Sequence, residues 1–269
     1  MLFVITYFSR KIRAHHLDAY AAQAAFFLLF STVPLLLLGV SLFRLLSFSA
    51  EGLSPGWKGF FPESVTALLE GVLAEVPGTE DSMFTSVSAL TLLWSASKSV
   101  YYLMGGLNSV FEVKEERGFL KVRLLAMLYT LALILAVAGA LVLMVFGGGL
   151  SERLGDCFPK FQSLMKFLSA FRYLIGILFL TGVFTAVYTV LPDRKATAGS
   201  QLPGALVASV GWMLFSLLFA LYVDRFANYD TLYGSLSAIV VFMLWLYVCM
   251  YILLMGGEIN LLTGRVKKL

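Results

Sequence analysis

Apolar positions run in long unbroken stretches along this chain, and the polar positions bunch between them. Six apolar stretches stand out, at 21–43, 83–105, 124–147, 173–191, 202–223 and 232–257. As a helix rising about 1.5 Å per residue, each is long enough to cross a hydrocarbon core of about 30 Å. The stretches are continuous rather than alternating, which excludes the pattern of a membrane β-barrel. They predict an all-α integral membrane protein, a bundle of six transmembrane helices forming a single domain over 1–269, since the connections hold no second domain. The connection 44–82 has a pattern of its own. Val65, Leu68, Leu69, Val72, Leu73 and Val76 recur at helical spacing and stop at Pro77-Gly78. They predict an amphipathic helix over 62–76, lying on the membrane surface or lidding the bundle. At the N-terminus "MLFVITYF" precedes Arg10, Lys11 and Arg13. A signal peptide carries its bases first, so residues 1–17 read as an interfacial amphipathic segment kept in the mature chain.

Composition agrees with burial in lipid. Of the 269 residues 59% are hydrophobic and only 13% charged, with a mean hydropathy of +0.87, too few charges to cover a water-soluble domain. The net charge of +4 does not point to nucleic acid, because the bases lie between apolar stretches, where they orient helices. With the N-terminus inside, the inner segments 1–20, 106–123, 192–201 and 258–269 carry 12 Lys and Arg, and the outer segments carry seven. The first outer loop adds six acids against Arg44 and Lys58. The basic segment 148–172 is discordant, but the balance predicts a plasma-membrane protein with both termini cytoplasmic. Cys157 lies outside and Cys249 within a span, so no disulfide is expected.

A short signature occurs twice. "LMGGLN" at 103–108 and "LMGGEIN" at 254–260 each end a span that begins "SVSAL" or "SLSAI". Both spans run from outside to inside, so the echo is parallel, compatible with a duplicated helical hairpin or with small residues recurring at helix contacts. Either way Gly105, Gly106, Gly256 and Gly257 are expected as close-packing points near the inner face, with the following asparagines ending the helices.

Polar groups within the spans are costly in lipid and mark candidate sites. Lys98, in "SASKS", lies about 10 Å inside the inner end of its span. It either faces an interior cavity suited to an anionic headgroup or snorkels to the surface. Ser95, one turn earlier, shares its face. Glu258, after the second LMGG, is the expected partner of Lys98, and Asn108 and Asn260 complete a candidate binding set. Pro34 interrupts the first span and frees the carbonyl of Phe30, with Ser31 and Thr32 able to satisfy the backbone, so this is a kink or hinge. Pro203 fits the first turn of the fifth span. His15 and His16 are adjacent, a poor metal pair on a helix, and beside three bases they are expected at the headgroups. No metal site, cofactor, P-loop or catalytic triad is expected, and the protein is not read as an enzyme.

The stretches "AAQAAFFLLFSTVPLLLLG" (21–39), "LWSASKSVYYLMGGLNSVFEV" (93–113), "LPGALVASVGWMLFSLLFALYV" (202–223) and "YGSLSAIVVFMLWLYVCMYILLMGGEIN" (233–260) resemble the BrkB/YihY-like inner-membrane proteins in the same order over most of the chain. The resemblance implies six helices and cytoplasmic termini. It implies a family mislabelled as a tRNA-processing ribonuclease and linked to envelope lipids. The function expected is a transporter or a handler of lipids or envelope precursors, its partners membrane lipids, anionic ones included, and not nucleic acid. The alternative is a structural or scaffolding membrane protein. No oligomeric state is predicted.

Overall fold

A backbone in lipid has no water to bond, so long uncharged runs of Leu, Phe, Ala and Val close their own i to i−4 bonds. The computed structural model describes residues 11, 13–45, 82–135, 172–226 and 237–266, and among these every regular element is helical. We label them α1 (Leu17–Leu45), α2 (Ser82–Val110), α3 (119–135), α4 (Arg172–Val190), α5 (Ala198–Phe226) and α6 (Ser237–Val266). The amphipathic stretch 62–76, residues 1–10, the part of the third apolar stretch beyond 135, the basic segment up to 171 and Cys157 lie outside the described residues.

The helical class agrees with the sequence pattern. Two of the described helices, at Ala198–Val223 and Ile239–Arg265, have the length and apolarity needed to cross a membrane, with mean hydropathies of 2.1 and 2.4. The apolar part of α4, Gly176–Val190, is shorter. The outer surface of α5 is a stripe of exposed leucines, among them Leu214, Leu218 and Leu221. A bare apolar face of this extent is a surface made for lipid or protein.

Small residues recur where the helices meet. α1 packs along α2, and α6 packs on α5 and α1 and touches α2, while α4 lies on α5. Ala21, Ala24 and Ala25 of α1, and Ala205 and Ala208 of α5, are fully or almost fully buried. Small side chains let helix axes approach closely where lipid gives no hydrophobic drive to associate.

Three boundaries differ from the sequence expectation. α2 runs on to Val110 and α6 to Val266, so both LMGG signatures lie inside helices rather than at their ends. α5 begins at Ala198, so Pro203 is within the helix rather than at its first position. At Pro203 a contact between helices serves the interrupted backbone. Pro203 has no N–H, and the next one, of Gly204, donates to Asn260 Oδ1 on α6 at 2.7 Å. α1 continues through Pro34. One turn before it, the hydroxyls of Ser31 and Thr32 both donate to the carbonyl of Leu28, at 2.7 and 3.2 Å.

The paired signatures meet each other. A Cβ on Gly106 would lie 3.0 Å from Leu254 Cδ2, and one on Gly257 would lie 3.2 Å from Leu107 Cδ2. The first glycine of each pair faces the helix that precedes it in the chain. Gly105 faces Tyr20 of α1, and Gly256 faces Ala208 and Gly204 of α5. At Gly204 a Cβ would collide with the carbonyl of Gly256 and come within 2.6 Å of Asn260 Cγ. There α5 and α6 touch backbone to backbone.

Candidate functional site at the polar end of the bundle

The helix ends after the two LMGG signatures, the stretch before α1 and the α4–α5 connection converge at one end of the bundle. Their polar side chains form three linked groups.

The first group is built around His15. The chain turns at His15-His16, with His16 in the left-handed region at φ 52°, a conformation that costs a non-glycine residue energy and needs surrounding support. The turn tucks His15 under the bundle end, where it is buried. Its Nδ1 meets Oε1 of Glu258, which is 1% exposed. Its Nε2 lies 3.7 Å from Glu112 Oε1, and its carbonyl accepts from the Ser109 hydroxyl at 3.0 Å. Glu112, itself at φ 55°, accepts from Lys11 and, at 2.6 Å, from Arg265. The hydrogen bond from Lys11 holds the Glu112 carboxyl below the usual carboxylate range, and the charges of Lys11 and Arg265 add to it against a partial desolvation.

The second group is centred on Asn108. Its Nδ2 donates to Glu115 at 2.8 Å, and its Oδ1 accepts from the backbone N–H of Asp193 at 2.8 Å. Asn108 therefore ties two connections together instead of capping its own helix, as the sequence had it. Arg117 forks onto both oxygens of Glu115 at 2.6 and 2.7 Å, lowering that carboxyl, and reaches the carbonyl of Leu191.

The third group joins α5 and α6. Asn260 is 4% exposed and accepts from the Gly204 N–H at its Oδ1, while its Nδ2 is buried with no described partner. Arg194 lays its guanidinium 3.4 Å over the Phe111 ring and donates to Gln201 at 2.9 Å, with Nε buried and unpartnered. Burial pushes the Arg194 group down from its ordinary value.

Lys98 stands apart from all three. It lies 11 residues before Ser109 in α2, about 16 Å deeper along the helix axis, whereas Glu258 sits level with His15 and Ser109. The expected Lys98–Glu258 pair is therefore not formed, and the partner of Glu258 is His15, not a lysine. The ammonium of Lys98 instead sits 4.7 Å over the Phe27 ring, a cation–π contact, and Phe27 stacks on Tyr102 at 5.4 Å. Ser95 donates to the Phe27 carbonyl at 3.3 Å. Arg123 lies 4.4 Å over Trp94, one turn before Lys98 on α2, and donates to its carbonyl at 3.2 Å. Among the described residues no carboxylate pairs with Lys98, Arg123 or Arg194.

His15 is the residue that sequence reasoning placed wrongly, at the headgroups. Its neighbours Arg10, Lys11 and Arg13 gave a surface signal, and its partner lies 243 positions away. Arg194 was not singled out, since a base in a loop carries no sign of burial. Among the described residues no three His, Cys, Asp or Glu side chains gather as metal ligands.

The sequence profile of a family described as "Virulence factor BrkB" matches residues 8–268. The chain is 32% identical to the ribonuclease-like protein YfkH of Bacillus subtilis over 269 residues, covering 100% of this chain and 98% of that one. It is 27% identical to a UPF0761 membrane protein of Photobacterium profundum, covering 98% and 82%. A UPF0761 membrane protein of Cronobacter sakazakii is 29% identical over 196 residues, covering 70% of this chain and 62% of that one. No solved structure matches the chain.

Proposed function

We propose that this chain, which belongs to the BrkB family of membrane proteins, is a six-span inner-membrane transporter or lipid-handling protein whose cargo is an anionic lipid or lipid-linked envelope precursor. The polar end faces the cytoplasm in this reading, as the Lys and Arg balance favours. The observation that carries it is Lys98, a cation deep along α2 that contacts an aromatic ring rather than a carboxylate. A charge at such depth is expensive without a counter-charge. An anionic headgroup drawn from the inner leaflet supplies one. Arg123, with its own aromatic and carbonyl contacts, flanks the same segment of α2. The reading gives the chain no enzymatic activity, no cofactor and no nucleic-acid partner. The ribonuclease-like name belongs to the Bacillus relative, and here one of the two histidines is already engaged with Glu258.

The test is native mass spectrometry of the protein extracted with its surrounding lipid, wild type beside Lys98→Ala. A defined anionic lipid or lipid-linked intermediate retained by the wild type and lost from the variant is the expected result. The same unselected lipids on both would remove Lys98 from that role and favour a scaffolding protein.

A further inference from the structure

We infer that His15 and Glu258 form a proton-binding site reached from solvent through Glu112, and that the proton is the coupling ion of the transport proposed above. The coupling rests on that reading; the proton site stands on geometry alone.

Glu258 is 1% exposed, and a carboxylate so buried is a poor structural choice. Packed apolar residues hold helices together as well or better. Its contact is an imidazole, the side chain that exchanges protons near neutral pH. The two ring nitrogens point opposite ways, Nδ1 to the buried Glu258 and Nε2 to Glu112, whose side chain is 43% exposed. A buried acid, a base and a surface acid thus stand in a line from the bundle interior to water.

The relay balances as follows. A proton from solvent, attracted by the Glu112 carboxylate, is accepted at Nε2 of His15. The proton on Nδ1 passes to Oε1 of Glu258, which becomes a neutral carboxylic acid. The ring is left neutral with its proton on Nε2, and it resets when Glu258 returns a proton to Nδ1 and Nε2 releases its own to water. The charge of the buried site rises by one for each proton taken up. Glu112 attracts the proton without keeping it, because Lys11 and Arg265 favour its ionised form. Arg265 on α6 reaches the site through Glu112, while Arg13, His16 and Asp18, near His15 in sequence, are exposed. The strained turn at His16 is the device that aims the ring inward.

Infrared spectroscopy of the full chain in a lipid bilayer tests the site. On acidification a carboxylic-acid C=O band is expected in the wild type and missing from Glu258→Gln. Exchange of that proton for deuterium is expected to slow about tenfold or more in His15→Gln, and to slow in Glu112→Gln, which replaces a surface side chain by one of the same size. A band that survives in Glu258→Gln, or exchange that is equally fast in the Glu112 variant, overturns the inference. Loss of lipid retention in native mass spectra reads Lys98 and leaves this band untouched, so the two readings fail separately.

Discussion

Glu258 shows what a single residue demands of its surroundings. A buried carboxylate needs a partner, and removing one member of a buried pair leaves the other uncompensated. Glu258→Leu is expected to cost about 3 kcal/mol of stability, and adding His15→Phe to recover a good part of it. Additive losses in thermal unfolding in detergent would show that the two side chains are not coupled. Glu112 and Glu115 give a pH dependence with a definite sign. Both carboxyls are held below their ordinary value of 4.5 by Lys11 and Arg117 respectively. Their contribution is therefore present above pH 4.5 and lost as pH falls through the lowered folded values. The unfolding midpoint should drop on acidification below that point, and more shallowly in Glu112→Gln. Half-exposure of Glu112 keeps the effect small. Glu258, Asn108 and Asn260 were legible in the sequence because a polar residue stands out beside an apolar stretch. Their partners were not, since His15, Asp193 and Gly204 are joined to them only by the fold.

At the scale of the helix, the twice-used LMGG marks a crossing. The glycines were legible as close contacts because nothing else lets two backbones touch. That they lie inside α2 and α6 was not, because asparagine after glycine is also how helices end. Gly256 and Gly204 are the severe positions. A Cβ at Gly256 would lie 2.7 Å from Ala208 Cβ and 2.8 Å from the Gly204 carbonyl. Gly204→Ala and Gly256→Ala should each destabilise the fold by about 1–3 kcal/mol or more, the cost of overpacking a rigid contact. Gly182→Ala, with nothing within 4 Å, should be neutral or slightly stabilising, since it adds helix propensity without a clash. Thermal unfolding of the three variants side by side checks this, and equal losses at all three would mean that α5 and α6 do not meet at these glycines.

For the whole molecule, hydropathy alone fixed the helical class, since continuous apolar runs leave a backbone no other regular structure in lipid. Which ends share a network was beyond it, because that depends on three-dimensional convergence of segments up to 243 positions apart. The converged polar end draws an anionic lipid from the inner leaflet only if it faces the cytoplasm. Single-cysteine labelling reads this directly. Cys249 is replaced throughout; Cys157 is kept as one reporter, and Glu116→Cys and Lys195→Cys, both exposed at the polar end, are placed in a Cys157→Ser background as the others. With a membrane-impermeant maleimide on intact cells, Cys157 should label at once. The cysteines at 116 and 195 should label only after the membrane is permeabilised. Labelling of 116 and 195 in intact cells, with Cys157 protected, would put the polar end outside and contradict the proposed capture of lipid from the inner leaflet.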